Sequence, residues 1–228
     1  MVTSRFPRPL SRSPWAKARW LVLAPHADDE TIGAGALIAE AAAGGRLAAV
    51  AFLTDGRASH GPDGPADLAA IRRREARAAL RTLAPGAPSP VFLDWPDAHP
   101  PAPGSPAWTR GVRRLEALCR ARRVDAIATT SALDPHCDHK AASALARAVA
   151  AAVMRPIEVF DYVVWAERVP RGPAYRTEPS RPGPRRLALA AHRSQTTPLH
   201  GEGFRVPERL KRMPAADVLY LDGSPHAP

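Results

Sequence analysis

The chain has 228 residues, 45% of them hydrophobic, which is enough for one domain with a substantial core. Its formal charge of +10 comes from 32 basic residues, almost all Arg, spread along the chain without interleaved aromatics, which argues against a specific nucleic-acid-binding module. Two cysteines, Cys119 and Cys137, exclude a disulfide scaffold, and no run reads as a secretion signal or a membrane span, so a cytoplasmic protein is expected.

Residues 1–17, rich in Pro and Arg, are expected to be an irregular N-terminal arm, with residues 18–228 forming a single domain. Leu21 to Leu23 has the composition of a buried strand and Gly33 to Gly44 that of a helix. Between them lie His26, Asp28, Asp29 and Glu30, at the carboxyl end of the strand, where ligands bind in open α/β sheets. Adjacent carboxylates repel one another and lose hydration on burial, so this stretch is either an acidic helix start or half of a metal site. Imidazole with carboxylate suits zinc, and a neighbouring carboxylate that is not a ligand could take a proton from water.

Leu47 to Leu53 predicts a second strand, ended by Thr54, Asp55 and Gly56 with loop composition through Pro65. Ala66 to Leu83 has apolar residues at helical spacing with arginines on other faces, and Val91 to Leu93 predicts a third strand. Pro96 to Pro106 must be a loop, because proline lacks the backbone donor that helices and sheets need. Trp108 to Arg123 predicts a helix and Val124 to Thr130 a fourth strand. A short loop through Asp134, Pro135 and His136 then leads into an Ala-rich helix. Ile157 to Trp165 is the most β-branched and aromatic run, Arg185 to Gln195 is a last helical pattern, and Val218 to Leu221 a last short strand. The alternation favours a Rossmann-like three-layer α/β fold, a mainly parallel sheet with helices on both faces.

His136 and His139 flank Cys137 and Asp138, again just after a strand, and two His/Asp clusters at strand ends favour a shared metal centre. Here the residues resemble a known family. His26-Ala27-Asp28-Asp29-Glu30 is similar to the HPDDE motif of the LmbE/PIG-L deacetylases, with Ala27 in place of the usual Pro, and His136-Cys137-Asp138-His139 is similar to its HxDH motif. Thr54-Asp55-Gly56, the Arg72/Glu75 pair, Asp97, and His192 with Ser194 and Gln195 add weaker similarity in the family's order.

The resemblance implies zinc-dependent hydrolysis of an N-acetyl or other N-acyl group from an amino sugar or glycoconjugate. It implies His26, Asp29 and His139 as Zn2+ ligands and Asp28 as the general base. It makes His136 a protonated partner of the oxyanion or leaving amine, with Asp138 favouring that charge, and Arg72 and Asp97 contacts to sugar hydroxyls. Cys137 is expected to point away from the metal, Glu30 to cap the helix or bond to the ligands, and His60, His99 and His200 to be solvated loop residues. His192 is either structural or pocket-lining. A nucleotide-binding module, prompted by Gly33-Ala34-Gly35, has an incomplete fingerprint, and the acidic residues before it would repel a pyrophosphate.

Overall fold

The centre of the sheet is set by residues that are apolar on both faces. In the computed structural model, which describes residues 6–61, 64–181 and 183–221, the two-residue strand β1 (Arg8–Pro9) is followed by β2 (Trp20–Ala24). Every residue of β2 is buried: Trp20, Val22 and Ala24 enter one core and Leu21 and Leu23 the other. A strand covered on both sides needs such a continuous apolar run, the mark of parallel sheets. The chain continues through α1 (Asp29–Ala43), β3 (Leu47–Thr54), α2 (Leu68–Leu83), β4 (Val91–Trp95) and α3 (Pro106–Arg122). After β5 (Ala126–Thr130), α4 (Cys137–Ala152) and β6 (Glu158–Tyr162) come β7 (Ala174–Arg176), α5 (Pro184–Ala191), α6 (Arg193–Thr196), α7 (Glu208–Lys211) and β8 (Val218–Leu221).

The sheet order is β1-β7-β8-β6-β5-β2-β3-β4, and all pairings are parallel except those of β8 with β6 and β7. Leu37 and Ile38 of α1, Leu80 of α2 and Leu189 of α5 pack on one face, and Leu115 of α3 with Leu145 and Val149 of α4 on the other. The expected α/β architecture is therefore the observed one. Among the described residues, no helix is long and apolar enough to cross a membrane.

Four local expectations change. Part of the segment expected as an irregular arm packs on the domain: β1 pairs with β7 and Leu10 is fully buried. The apolar run to Trp165 leaves the sheet at Tyr162, because the backbone N–H groups of Val164, Trp165 and Ala166 turn onto the buried carboxylate of Asp134. The last helical pattern divides at His192. Helix α1 starts at Asp29, four residues before the predicted Gly33, which places the acidic motif in its first turn.

Helix α1 is also broken. Ala34 has φ −134° and ψ 15°, outside helical geometry. Backbone groups freed inside a domain need partners, and here they find one ion pair. The Arg185 guanidinium donates to the carbonyls of Thr31 (2.8 Å) and Ile32 (2.6 Å) and pairs with Asp217 at 2.7 Å. Asp217 in turn accepts from the N–H of Leu37 at 2.9 Å. Gly35 lets the guanidinium approach, since a Cβ there would lie 2.8 Å from Arg185 Nε, and Gly33 likewise makes room for the Tyr162 ring.

Replacing Arg185 with Met would leave Asp217 as an uncompensated buried charge and two helix carbonyls bare. Urea unfolding should show Arg185→Met less stable by about 3–5 kcal/mol. A loss below about 1 kcal/mol, the size of an ordinary surface change, would mean that another contact holds the break.

Candidate functional site

Strand β2 lies between β3 and β5, so the connections leaving β2 and β5 run to opposite sides of the sheet. A crevice opens at such a switch point, beyond the carboxyl ends of the strands. The loop after β2 carries His26 and Asp28, the loop after β4 carries Asp97, and the start of α4 after β5 carries His136, Asp138 and His139. They converge on a cavity of about 160 Å³ lined by His26, Asp28, Asp29, Arg72, Asp97, His136 and His139. Asp138 lies just behind this lining, fully buried.

Two imidazoles there are oriented by carboxylates on their far sides. His139 Nδ1 lies 2.8 Å from Asp134 Oδ2, which leaves Nε2 aimed at Asp29 Oδ2, 3.3 Å away, buried and without a hydrogen bond. His26 Nδ1 faces the same Asp29 oxygen at 3.1 Å, while its Nε2 lies 2.9 Å from Asp138 and 3.2 Å from Asp97. Donor atoms of His26, Asp29 and His139 all fall within 4.8 Å of one another. His26, His136 and Asp138 make a second such group, but Asp138 Oδ2 is already engaged by His26 and by the N–H of Ala98 at 2.9 Å. The first group fits a divalent cation: two imidazoles and a carboxylate, each imidazole backed by a further carboxylate as metal-ligating histidines usually are.

The electrostatics reflect this crowding of acids. Burial lowers the pKa of His26, but hydrogen bonds to Asp138, Asp29 and Asp97 outweigh it and hold the value well above normal. At His139, burial is likewise outweighed by Asp29 and Asp134, and the pKa rises to about 9. Burial would raise Asp29, yet the two imidazoles hold it well below the usual carboxylate range. Asp97 is also buried, but its bond to His26 brings it to about 2.

Asp28 behaves in the opposite way. Burial, followed by the charge of Asp29, lifts its carboxyl to about 7, so at neutral pH it can both accept and return a proton. Its backbone has φ 145°, a conformation that costs a non-glycine residue about 1–3 kcal/mol. The turn is held by its neighbours: the Asp28 N–H donates to Glu30 Oε2 at 2.8 Å, and its carbonyl accepts from Thr31 and Ile32. Glu30 Oε1 also receives a bond from buried His192 Nε2 at 2.9 Å, which assigns His192 a structural place behind the site.

His136 departs from expectation. Its Nδ1 accepts from the N–H of Asp138 at 3.2 Å, capping α4, and Asp138 Oδ2 lies 3.8 Å away, farther than from His26. Burial and the nearby His26 lower its pKa. His136 Nδ1 thus has a backbone donor, and the Asp138 carboxylate lies closer to His26 than to His136. The expected solvation of His60 is also corrected: it is buried, with Nδ1 2.9 Å from Ser59 Oγ and Nε2 near Arg205. Cys137 is exposed and donates to the Ala98 carbonyl; its Sγ lies 3.7 Å from Asp138 Oδ1 and 4.0 Å from His136 Nδ1, and it is a member of neither donor group.

Arg72 lies under the cavity with Nε lacking a partner, and Gly56 is needed beside it, since a Cβ there would come within 2.3 Å of Nη1. Glu75, one turn along α2, accepts from the Ser194 N–H (2.8 Å) and Oγ (2.5 Å). Sequence reasoning missed Asp134, which accepts from three backbone N–H groups besides its contact with His139. Its place five residues before His139, in the loop leaving a strand, was the available signal.

A family model described as PIG-L: GlcNAc-PI de-N-acetylase matches residues 21–150, more than half of the chain. None of the curated proteins matches the sequence. Among solved structures, the N,N'-diacetylchitobiose deacetylase of Pyrococcus horikoshii is 19% identical with a TM-score of 0.66, over 92% of this chain and 86% of that one. The zinc-inhibited form of a teicoplanin deacetylase is 18% identical with a TM-score of 0.62, over 90% of this chain and 100% of that one. GalB, the 4-carboxy-2-hydroxymuconate hydratase of Pseudomonas putida, is 20% identical with a TM-score of 0.59, over 91% of this chain and 97% of that one. At these identities the likeness is one of fold.

The role of Asp134 is open to measurement. Asp134→Asn should keep the fold by far-ultraviolet circular dichroism but weaken zinc binding about 10–100-fold in competition with a chelator. Unaltered affinity would remove Asp134 from the support of the metal ligand.

Proposed function

The chain belongs to the PIG-L: GlcNAc-PI de-N-acetylase family, whose members are amide-hydrolysing deacetylases, and we propose that it removes the N-acetyl group of an amino sugar or glycoconjugate with the help of Zn2+. The observation that supports this reading best is the convergence of His26, Asp29 and His139 within 4.8 Å, beside an Asp28 carboxyl poised near neutral pH. His26 Nδ1, Asp29 and His139 Nε2 hold the cation in this reading, and the domain, which takes in β1 and Leu10 of the amino-terminal segment, works in the cytoplasm.

When bound, the divalent cation supplies Lewis acidity to the substrate carbonyl and makes water more acidic. Asp28 takes a proton from the attacking water as the oxygen adds to the acyl carbon. The carbonyl oxygen gains negative charge, and His136 donates its Nε2–H to it, a stabilisation that is strongest where the donor is fixed in advance. Asp28, now protonated, returns the proton to the amide nitrogen. The C–N bond then breaks to give the amine and acetic acid, whose proton passes to the amine or to water, leaving acetate. One carboxyl serves in both directions, which suits a pKa near 7 better than an ordinary one. Arg72 donates from the cavity floor to substrate hydroxyls, and Asp97, held by His26, offers an acceptor beside it.

Asp28→Asn should retain zinc by elemental analysis and lose acetate release by at least about 10²-fold, whereas His139→Ala should lose the metal itself. Substantial turnover by the first variant, or full zinc occupancy in the second, would contradict these roles.

The working form of Asp28 is the carboxylate, so kcat/KM should fall as pH falls through its pKa. Side chains alone hold that value at about 7, and a bound cation lowers it. The acid limb is therefore expected at or below pH 7. A profile level down to about pH 4, the ordinary carboxylate range, would rule out a raised Asp28 as the base.

A further inference from the structure

The cavity is also lined by a side chain that the reaction above does not use. Gln195 lines the cavity at 0% exposure, and neither its Nε2 nor its Oε1 has a hydrogen-bond partner. A buried amide with both ends bare is costly in a folded protein, and such groups call for a specific partner. Its position is not accidental slack. The Gln195 N–H donates to the His192 carbonyl, the Gln195 carbonyl accepts from Val206, and the flanking Ser194 is bonded twice to Glu75.

Next to this amide the cavity wall is aromatic. Trp165 and Phe204 meet edge to face with centroids 5.8 Å apart, and the Arg209 guanidinium lies 5.6 Å from the Trp165 centroid. Both walls are pinned through the main chain, Trp165 N–H to Asp134 at 3.1 Å and Phe204 N–H to the Ser59 carbonyl at 2.7 Å. An amide offers a donor and an acceptor together. A phosphate or carboxylate would satisfy only Nε2, and a cation only Oε1; a hydroxyl satisfies both. Aromatic walls add favourable contact with an apolar C–H face.

We propose that Gln195, Trp165 and Phe204 form a subsite for a pyranose ring, with Gln195 bonding a ring hydroxyl and the aromatic pair packing on the ring's C–H face. The subsite makes the sugar, rather than the acetamide alone, the feature that the enzyme selects. This rests on the deacetylase reading, and the two fail separately.

The test compares zinc-loaded parent and Gln195→Leu on N-acetylglucosamine and on N-ethylacetamide, an acetamide with neither ring nor hydroxyl. In the variant the ratio of kcat/KM for the sugar over the acyclic acetamide should fall about tenfold or more, mainly through KM. Removing one sugar hydroxyl should reproduce the loss: among the 3-, 4- and 6-deoxy analogues, one should be no worse for the variant than the parent sugar. The thermal midpoint should not fall, because Leu replaces an amide that bonds to nothing. An equal loss on both acetamides, no loss on either, or a lowered midpoint with no change in the ratio would overturn the subsite. If the parent hydrolyses neither probe, the deacetylase reading fails for such acetamides, and calorimetric binding of N-acetylglucosamine decides the subsite alone. Saturable binding weakened about tenfold by Gln195→Leu would uphold it, and absence of saturable binding would overturn it.

Discussion

The structure depends on one electrostatic constraint, the gathering of buried carboxylates at a switch point. Asp28, Asp29, Glu30, Asp134 and Asp138 are all almost fully buried within a few residues of two strand ends. An ionised carboxylate removed from water without compensation costs far more than a domain can spare. Each acid here except Asp28 therefore has an assigned partner. Asp134 faces His139 and three backbone N–H groups, Asp138 faces His26 and the Ala98 N–H, Asp29 faces both imidazoles, and Glu30 takes His192, Thr31 and the Asp28 N–H. Asp28 has none of these direct bonds on its carboxylate, and its raised pKa is the consequence. The site thus separates one reactive carboxyl from several that are committed to holding histidines.

Much of what maintains this separation lies outside the segment that the family model matches. Residues 21–150 contain all of the candidate ligands. His192, which bonds Glu30, and Ser194, which bonds Glu75, come from the short helices near the end, and the Arg185–Asp217 pair fastens the break in α1 from still later elements. The break separates the first turn of α1 from the rest of the helix. A continuous α1 would carry its first turn at an angle fixed by packing of the whole helix on the sheet, whereas a helix interrupted at Ala34 lets Asp29 and Glu30 be set by local bonds. The carboxyl-terminal third therefore positions the first motif without contributing a ligand to it.

The strand order was legible to the extent that apolar runs and intervening helical patterns force parallel pairing, and the two His/Asp motifs were legible because their residue types are so poorly suited to a core. What escaped the sequence has physical reasons. β7 is three residues long and sits in a Pro, Arg and Gly-rich stretch, so no periodicity marks it; its pairing with β1 and β8 is decided by tertiary contacts. The end of β6 at Tyr162 could not be read from IEVFDYVVW, whose composition stays strand-like through Trp165, because a carboxylate thirty residues earlier diverts the chain. Helical composition marks α1 only from Gly33, but the reading of the acidic stretch as a helix start holds for Asp29 and Glu30, which form the first turn, where negative charge is favoured by the helix dipole.

The protonation of His136 shows how a local bond can redirect a mechanism. The family resemblance implies a protonated His136, paired with Asp138, that either stabilises the oxyanion or passes a proton to the leaving amine. In the fold, the backbone N–H of Asp138 occupies Nδ1, and protonating that nitrogen would break the cap of α4. The imidazole can still donate from Nε2, but a neutral ring that gave up this proton would become an imidazolate, which a site crowded with carboxylates disfavours strongly. The proton for the leaving nitrogen must then come from a group that has just acquired one. In the proposed reaction Asp28 is that group: it would receive a proton when water attacks and lies in the same small cavity, so the proton need not leave the site between the two steps. A cap on one helix and a burial penalty on one carboxyl together favour Asp28 as the proton carrier of the proposed reaction.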